Sequence, residues 1–190
     1  MPDRLVVERL EGRRRLDEDG EIDARETDGL HQPLRGNAGD VVRRATGQVV
    51  AIWLKALGAR RIVILDDRTA ADDFLREVIT YAAPREVPVE ILDVATGTER
   101  VRELAADSEP TFVLMRSPMV ALKLREAGVE FPLLNVGGMG AGPGRKPLYR
   151  NISASPEEMD VMRRIEAMGT KVELRIVEND RPIAFASVDK

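Results

Sequence analysis

The chain has 190 residues, of which 43% are hydrophobic and 33% are charged, and its formal net charge is −4. This composition is typical of a globular protein with one core, and the negative charge disfavours binding to nucleic acid. With no cysteine and one histidine, His31, the chain can form no disulfide and has no cysteine or histidine cluster to bind a metal. No apolar run approaches the ~20 residues of a membrane span, so the chain is predicted to be cytoplasmic.

Residues 1–46 differ in composition from the rest of the chain. They are rich in Arg, Asp and Glu and show no sustained periodicity, apart from a short apolar run that indicates one strand at Arg4 to Val7. We interpret them as an atypical, charged N-terminal arm, disordered or loosely attached, that precedes a domain formed by residues 47–190.

Residues 47–190 alternate between helical and strand patterns. In chain order, the patterns predict a helix over 48–57, a strand over 61–65, a helix over 70–83, a strand over 87–94, a helix over 96–106, a strand over 111–115, a helix over 117–127, a strand over 131–136, a helix over 155–168 and a strand over 171–177. Five or six strands with helices between them indicate an α/β fold, a three-layer α/β/α sandwich with a mainly parallel central sheet.

Three local patterns sharpen this interpretation. Phe74 lies in an apolar stripe that predicts one buried face for the helix over 70–83. Thr96 and Glu99 have the spacing of a capping box, so the next helix is predicted to begin at Thr96. Asp66 and Asp67 follow a predicted buried strand, at the sheet edge where ligands collect in such folds, although two aspartates there are equally compatible with a solvated turn.

A glycine-rich segment, from Asn135 to Gly144, follows the strand over 131–136. It matches neither a P-loop nor a dinucleotide fingerprint, because Gly144 is followed by Arg145, Lys146 and a proline. Two interpretations remain, a loop whose amides and cations close over a phosphate and a simple connection. A nucleotide-dependent enzyme would bind ATP or NAD at Gly137 to Gly144, and we expect no such binding.

A set of short motifs occurs in one order along the chain. They are Gly47-Gln48-Val49 with Trp53, Asp66-Asp67, Met115-Arg-Ser-Pro118, Asn135-Val-Gly-Gly-Met139 and Ser155-Pro-Glu-Glu158. With these motifs, about three quarters of the chain resembles the enzyme IIB subunits of the mannose/fructose/sorbose family of the bacterial sugar phosphotransferase system.

The resemblance implies a function, a set of partners and a site. Such a subunit takes a phosphoryl group from its IIA partner onto a histidine and passes it to a sugar entering through the membrane subunits IIC and IID. It is cytoplasmic, peripherally associated with those subunits, and uses no metal or other cofactor. The resemblance does not decide between a monomer and a homodimer. The phosphate loop would contain Arg43, Gly47 and Gln48, while Asp67 and Asp72 support the same sheet edge.

The sequence departs from the family at the acceptor itself, because Thr46 occupies the position of the phosphorylated histidine. Threonine is a poor nucleophile without an adjacent base, and its phosphoester is too stable to act as a relay. Three explanations stay open. The arm could result from an altered start or reading frame, the chain could be a degenerate subunit that binds its partners without transfer, or His31 could replace the missing acceptor.

Overall fold

The structure is a computed structural model that describes residues 6–8, 52–107 and 109–189. The strands are β1 (Val6–Glu8), β2 (Arg61–Leu65), β3 (Val89–Leu92), β4 (Thr111–Met115), β5 (Leu133–Val136), β6 (Lys146–Tyr149), β7 (Ile152–Ala154), β8 (Lys171–Leu174) and β9 (Ile183–Ala184). The helices are α1 (residues 52–57), α2 (Asp67–Ala70), α3 (Asp73–Ala82), α4 (Val94–Ala105), α5 (Pro118–Glu126) and α6 (Pro156–Ala167), and a 3₁₀ turn, Phe185–Ser187, follows β9.

Seven strands form one sheet in the order β3-β2-β4-β1-β5-β8-β9, and β6 pairs with β7 in a separate antiparallel hairpin. The pairs from β3 to β8 are all parallel, and β9 alone runs antiparallel to its neighbour. The apolar runs explain this arrangement, because a strand that is buried along its whole length, such as Thr111–Met115, needs helices on both of its faces.

Helices cover both faces of the sheet. On one face, Val101 of α4, Leu122 of α5 and Met162 of α6 belong to one apolar core. On the other face, Trp53 of α1 and Ile79 of α3 pack into a second core. The predicted three-layer α/β/α sandwich with a mainly parallel sheet is therefore confirmed.

The strand β1 lies in the middle of the sheet, between β4 and β5. Val6 is opposite Phe112 on one side and Leu133 on the other. A strand was predicted here from the apolar run at Arg4 to Val7, but its central position was not. The boundary at residue 46 therefore does not separate all of the arm from the sheet, whereas residues 1–5 and 9–51 lie outside the described part of the chain.

The helix predicted over 70–83 is observed as α3, but it begins later, at Asp73, and a separate short helix, α2, precedes it. Asp72 separates them, and its Oδ1 accepts a hydrogen bond of 3.0 Å from the backbone N–H of Leu75. An aspartate in this place satisfies a free N–H and so favours a new helix start. Phe74 was predicted to lie on the buried face of this helix, and this prediction is wrong, since its side chain is 71% exposed.

The helix predicted to begin at Thr96 begins instead at Val94, because Asp93 is its N-cap. The Asp93 Oδ1 accepts from the backbone N–H of Thr96 at 2.9 Å, which places Thr96 at the third helical position. The preceding strand is correspondingly shorter than the predicted 87–94, and the last strand, β8, ends before 177. The hairpin of β6 and β7 was not predicted, because its strands are short and follow a stretch rich in glycine.

An ion pair between Glu90 of β3 and Arg100 of α4 links this outer strand to the helix that follows it. The Arg100 Nε and Nη2 atoms donate to the two carboxylate oxygens of Glu90 at 2.8 and 3.0 Å, and this hydrogen bonding lowers the pKa of Glu90 below its ordinary value. A carboxyl group whose pKa is lower in the folded state stabilises the fold above its unfolded pKa, and loses that contribution as the pH falls through the folded value.

We therefore expect Glu90→Gln to lower the free energy of unfolding at neutral pH, with a deficit that shrinks as the pH falls below about 4.3, the pKa of an unperturbed glutamate. Urea titrations from pH 7 to pH 3 would measure the difference. Glu77→Gln, at an exposed position of α3, is the control. A deficit for Glu90→Gln that is as large at pH 3 as at pH 7 would contradict the prediction.

Candidate functional site

The carboxyl ends of β4, β1 and β5 lie side by side at the centre of the sheet. From β1 the chain continues to β2, on the β4 side, and it later crosses from β4 over β1 to β5. This change of direction leaves a crevice at the carboxyl edge, which is where ligands bind in open α/β sheets. The residues that follow these strands are therefore the candidates for a functional site.

An ion pair between Asp66 and Arg116 lies at this edge, where each residue directly follows a buried strand. The Asp66 Oδ2 caps α2 by accepting from the N–H and the hydroxyl of Thr69, at 3.0 and 2.5 Å. Its Oδ1 lies 3.2 Å from the Arg116 Nε, at an angle that leaves this N–H without a hydrogen bond. The Arg116 side chain is 32% exposed, so its remaining donors can reach a ligand at the edge.

The first turn of α5 follows Arg116 immediately. Ser117 is the N-cap, accepting with its Oγ from the backbone N–H of Met119 at 3.2 Å, and Pro118 occupies the first turn. The positive end of the nine-residue helix therefore comes directly after Arg116 in the chain. Together, the two features offer hydrogen-bond donors to an anion at this part of the edge.

The predicted edge residues Asp67 and Asp72 both bind helix starts. The Asp67 Oδ1 accepts from the backbone N–H of Val94 at 2.7 Å and so joins the turn after β2 to the start of α4. Asp72 caps α3, as described above. These contacts give each carboxylate a structural role at the edge, and their support of a phosphate loop stays a prediction.

The other predicted site residues lie outside the described part of the chain. They are His31, Arg43, Thr46, Gly47 and Gln48. The structure therefore places two of the seven predicted residues, Asp67 and Asp72, and both follow β2. The roles of the remaining five stay predictions.

The glycine-rich segment is tied to α6. The Arg145 Nε donates to the Glu158 Oε2 at 2.8 Å, its Nη2 to the Glu158 Oε1 at 2.5 Å, and its Nη1 to the Gly140 carbonyl oxygen at 3.0 Å. Met139 is buried, and its carbonyl oxygen accepts from the N–H of Ser153. Arg145 is therefore held by Glu158, and it is not the mobile cation that one interpretation of this segment requires.

The space beside this segment is small. A cleft of about 10 Å³ lies between the ends of β4 and β5, lined in part by Ser117, Asn135 and Met139. This volume is close to the minimum for one water molecule, so a phosphoryl group would lie on the open edge and not inside the cleft. A cavity of about 520 Å³ is formed elsewhere, near Met159, Arg163 and Val188, and it shares no lining residue with the carboxyl edge.

A buried polar cluster completes the edge on the side of β8. The Asn135 Nδ2 donates to the Arg175 carbonyl oxygen at 3.0 Å, and the Arg175 guanidinium carbon lies 4.6 Å from the ring centre of Trp53. Asn135 and Trp53 are each 1% exposed. The cluster thus connects α1, β5 and the residue that follows β8.

The site residues predicted from the sequence do not include Arg116, Arg175 or Asn135. Arg116 directly follows the apolar strand β4, which is the same signal that drew attention to Asp67, and Arg175 directly follows β8, a strand with two charged residues. Asn135 is the one polar residue of the short strand β5. Applied to every predicted strand, the rule that strand ends carry ligand-binding residues would have found Arg116, whereas Asn135 and Arg175 lie within the predicted strands over 131–136 and 171–177.

No group of three or more His, Cys, Asp and Glu side chains within residues 6–8, 52–107 and 109–189 could hold a metal ion. Over the same residues, the helices lack the length and apolar character that crossing a bilayer requires. Among the described residues, the edge carries the cations Arg116 and Arg175, a helix N-terminus and hydrogen-bonded carboxylates. Such an arrangement can bind and neutralise an anion.

Comparison with known proteins connects the chain to a family. Residues 42–188 match the family model described as the PTS system sorbose subfamily IIB component. The sorbose-specific EIIB component of Klebsiella pneumoniae is 31% identical over 134 residues, which cover 70% of this chain and 82% of that protein. The mannose-specific EIIAB component of Escherichia coli K12 is 28% identical over 134 residues, 70% of this chain and 42% of that protein.

Solved structures agree with the sequence matches. The crystal structure of the IIBSor domain of the sorbose permease from Klebsiella pneumoniae aligns with a TM-score of 0.69 and 29% identity, covering 74% of this chain and 86% of that one. The structure of manxB from Thermoanaerobacter tengcongensis aligns with a TM-score of 0.66 and 26% identity, over 74% of this chain and 86% of that one.

Proposed function

Since the chain belongs to the sorbose subfamily of IIB components of the sugar phosphotransferase system, we propose that it relays a phosphoryl group from a IIA phosphohistidine to an incoming sugar. The group would be received at the carboxyl edge of β4, β1 and β5. The observation that carries this proposal is the position of Arg116, a partly exposed cation at the end of a central strand and directly before the N-terminus of α5 in the chain.

The chemistry asks little of the protein beyond positioning and charge neutralisation. In the relay, the bond between phosphorus and the IIA imidazole nitrogen breaks while a bond forms to the acceptor atom, and negative charge spreads over the three equatorial oxygens. Arg116, together with Arg43, Gly47 and Gln48 of the predicted phosphate loop, would bind those oxygens. Asp67 and Asp72 would support the loop by fixing the helix starts beside it.

Two residues compete for the role of acceptor. Thr46 stands at the family's acceptor position, and His31 carries the one imidazole of the chain. A neutral imidazole is the better nucleophile, and its phosphoramidate keeps enough free energy to be passed on, whereas a threonine phosphoester does not. Relay through this chain therefore requires His31 to reach the edge.

The partners follow from the family. A IIA domain or protein would supply the phosphoryl group, and the membrane subunits IIC and IID would present the sugar. In the Escherichia coli relative, the name EIIAB places A and B functions in one component. We propose a cytoplasmic chain, peripherally associated with IIC and IID, and a homodimer is compatible with this arrangement.

The second candidate is a degenerate, non-catalytic IIB-like module that binds or regulates the same partners. The threonine at position 46 favours it, because a chain that docks IIA without accepting phosphate needs the fold and the edge but no imidazole. The two candidates differ in one property, the fate of the phosphoryl group.

One experiment separates them. The full chain is incubated with labelled phosphoenolpyruvate, the general phosphotransfer proteins and a sorbose-type IIA, and the label on the chain is tested for stability to acid. An acid-labile label that His31→Ala abolishes supports the relay. No label together with measurable IIA binding supports the binding module, and the absence of both would contradict both candidates.

A further inference from the structure

Arg175 stacks on Trp53 at the carboxyl edge. Its guanidinium carbon lies 4.6 Å from the centre of the indole ring, within the range of a cation–π contact. The Arg175 side chain is 17% exposed and Trp53 is 1% exposed, so water screens the contact little. Trp53 is the second residue of the described part of α1, and Arg175 directly follows β8.

Neither partner of this stack has its full set of hydrogen bonds. The Trp53 Nε1 and the Arg175 Nε are buried and have no hydrogen-bond acceptor. An unsatisfied buried N–H is uncommon and requires an explanation. Because the indole N–H is unpaired, the orientation of the ring is set by packing and by the cation above it.

Arg175 itself is fixed by its surroundings. Its backbone N–H donates to the Val136 carbonyl oxygen at 3.2 Å, and its carbonyl oxygen accepts from the Asn135 Nδ2. Its Nη1 donates to the Glu178 carbonyl oxygen at 3.2 Å, and its Nη2 lies 3.6 Å from the Glu173 Oε1. Glu173 is 3% exposed and also binds the Lys171 Nζ at 2.9 Å. The guanidinium group is therefore held in one position at the end of β8.

We propose that Arg175 is a positioning residue, which holds α1 at the carboxyl edge and so preserves the surface on which IIA would dock. The proposal rests on the proposed function for its IIA part. The contact itself carries the positioning role, since Arg175 is the charged group against the Trp53 ring and its own backbone is hydrogen-bonded to β5.

The chain contains a matched control for this contact. The Arg125 guanidinium carbon lies 5.6 Å from the ring centre of Phe131, which is also buried, and the Arg125 Nε also has no hydrogen-bond partner. This second pair lies before the start of β5, at the opposite edge of the sheet. Arg125→Met thus removes the same kind of contact far from the proposed docking edge.

The test compares Arg175→Met, Arg175→Lys and Arg125→Met in the full chain. Hydrogen exchange is measured for the peptide covering residues 52–57, and affinity is measured for a sorbose-type IIA. We expect Arg175→Met to speed exchange in this peptide and to weaken IIA binding, each by about tenfold, since a desolvated cation–π contact is worth about that factor. Arg175→Lys restores part of both, and Arg125→Met changes neither.

Emission from Trp53, the one tryptophan of the chain, confirms in each variant that the ring stays buried and the protein folded. Unchanged exchange in Arg175→Met would overturn the proposal, and so would an equal effect of Arg125→Met, which would indicate general loosening. A wild-type chain that binds no IIA would contradict the proposed function, and the exchange rates would then decide alone whether Arg175 holds α1.

Discussion

Thr46→His is expected to turn the chain into an efficient phosphoryl acceptor. The substitution restores an imidazole at the family's acceptor position, directly before Gly47 and Gln48. Imidazole attacks the phosphorus without an adjacent base, whereas a threonine hydroxyl needs one. With the general phosphotransfer proteins and a sorbose-type IIA, we expect label on most Thr46→His chains, and acid should remove it.

The controls separate the new acceptor from His31. His31→Ala combined with Thr46→His should label as well as Thr46→His alone, while Thr46→Ala should label no better than the wild-type chain. Arg116→Met in the Thr46→His background should reduce the initial rate by about 100-fold, the effect of removing one preorganised donor from a developing charge. If Thr46→His stays unlabelled while it binds IIA, the assignment of position 46 as the acceptor is wrong.

Glu158→Ala is expected to lower the free energy of unfolding by a large amount. The Glu158 carboxylate is 8% exposed, binds Arg145 through both oxygens and accepts from the Ser155 N–H at 2.9 Å in a capping box. Removing one partner of a buried ion pair costs about 3–5 kcal/mol, because the other charge stays buried without compensation. A domain of this size is stable by about 5–15 kcal/mol, so the variant would lose a large share of it.

Urea unfolding followed by circular dichroism measures this loss. The neighbouring Glu157→Ala, at an exposed position in the same turn, should change the free energy of unfolding by no more than about 0.5 kcal/mol. The double variant Arg145→Met, Glu158→Met should be more stable than Glu158→Ala, since it leaves no isolated charge. A loss below about 1 kcal/mol for Glu158→Ala would show that the pair contributes little beyond helix capping.

Much of the fold could be predicted because its strands are short apolar runs between helices. β2, β4 and β5 follow this pattern, and the family and the three-layer sandwich are both confirmed. Two helix starts were misplaced because Asp72 and Asp93 were not recognised as N-caps, although an aspartate before a helical pattern is a common start signal. The hairpin of β6 and β7 was missed because a glycine-rich stretch masks its first strand.

The candidate site was harder to predict than the fold. Asp67 could be assigned to the edge because it follows a recognisable strand. The pairing of Asp66 with Arg116, and of Trp53 with Arg175, joins residues far apart in sequence, and no local pattern encodes such contacts. The central position of β1 could not be inferred either, since three residues in a charged segment do not identify their neighbours.

The place of β1 has a consequence for how the protein is made. Val6 is synthesised before both of the strands that flank it, since β4 and β5 follow on the order of 100 residues later in the chain. The sheet cannot close around its middle strand until most of the chain is available, so we expect folding to be slow and largely post-translational. Until then β4 and β5 each keep an unpaired inner edge, and a nascent chain in that condition is exposed to aggregation.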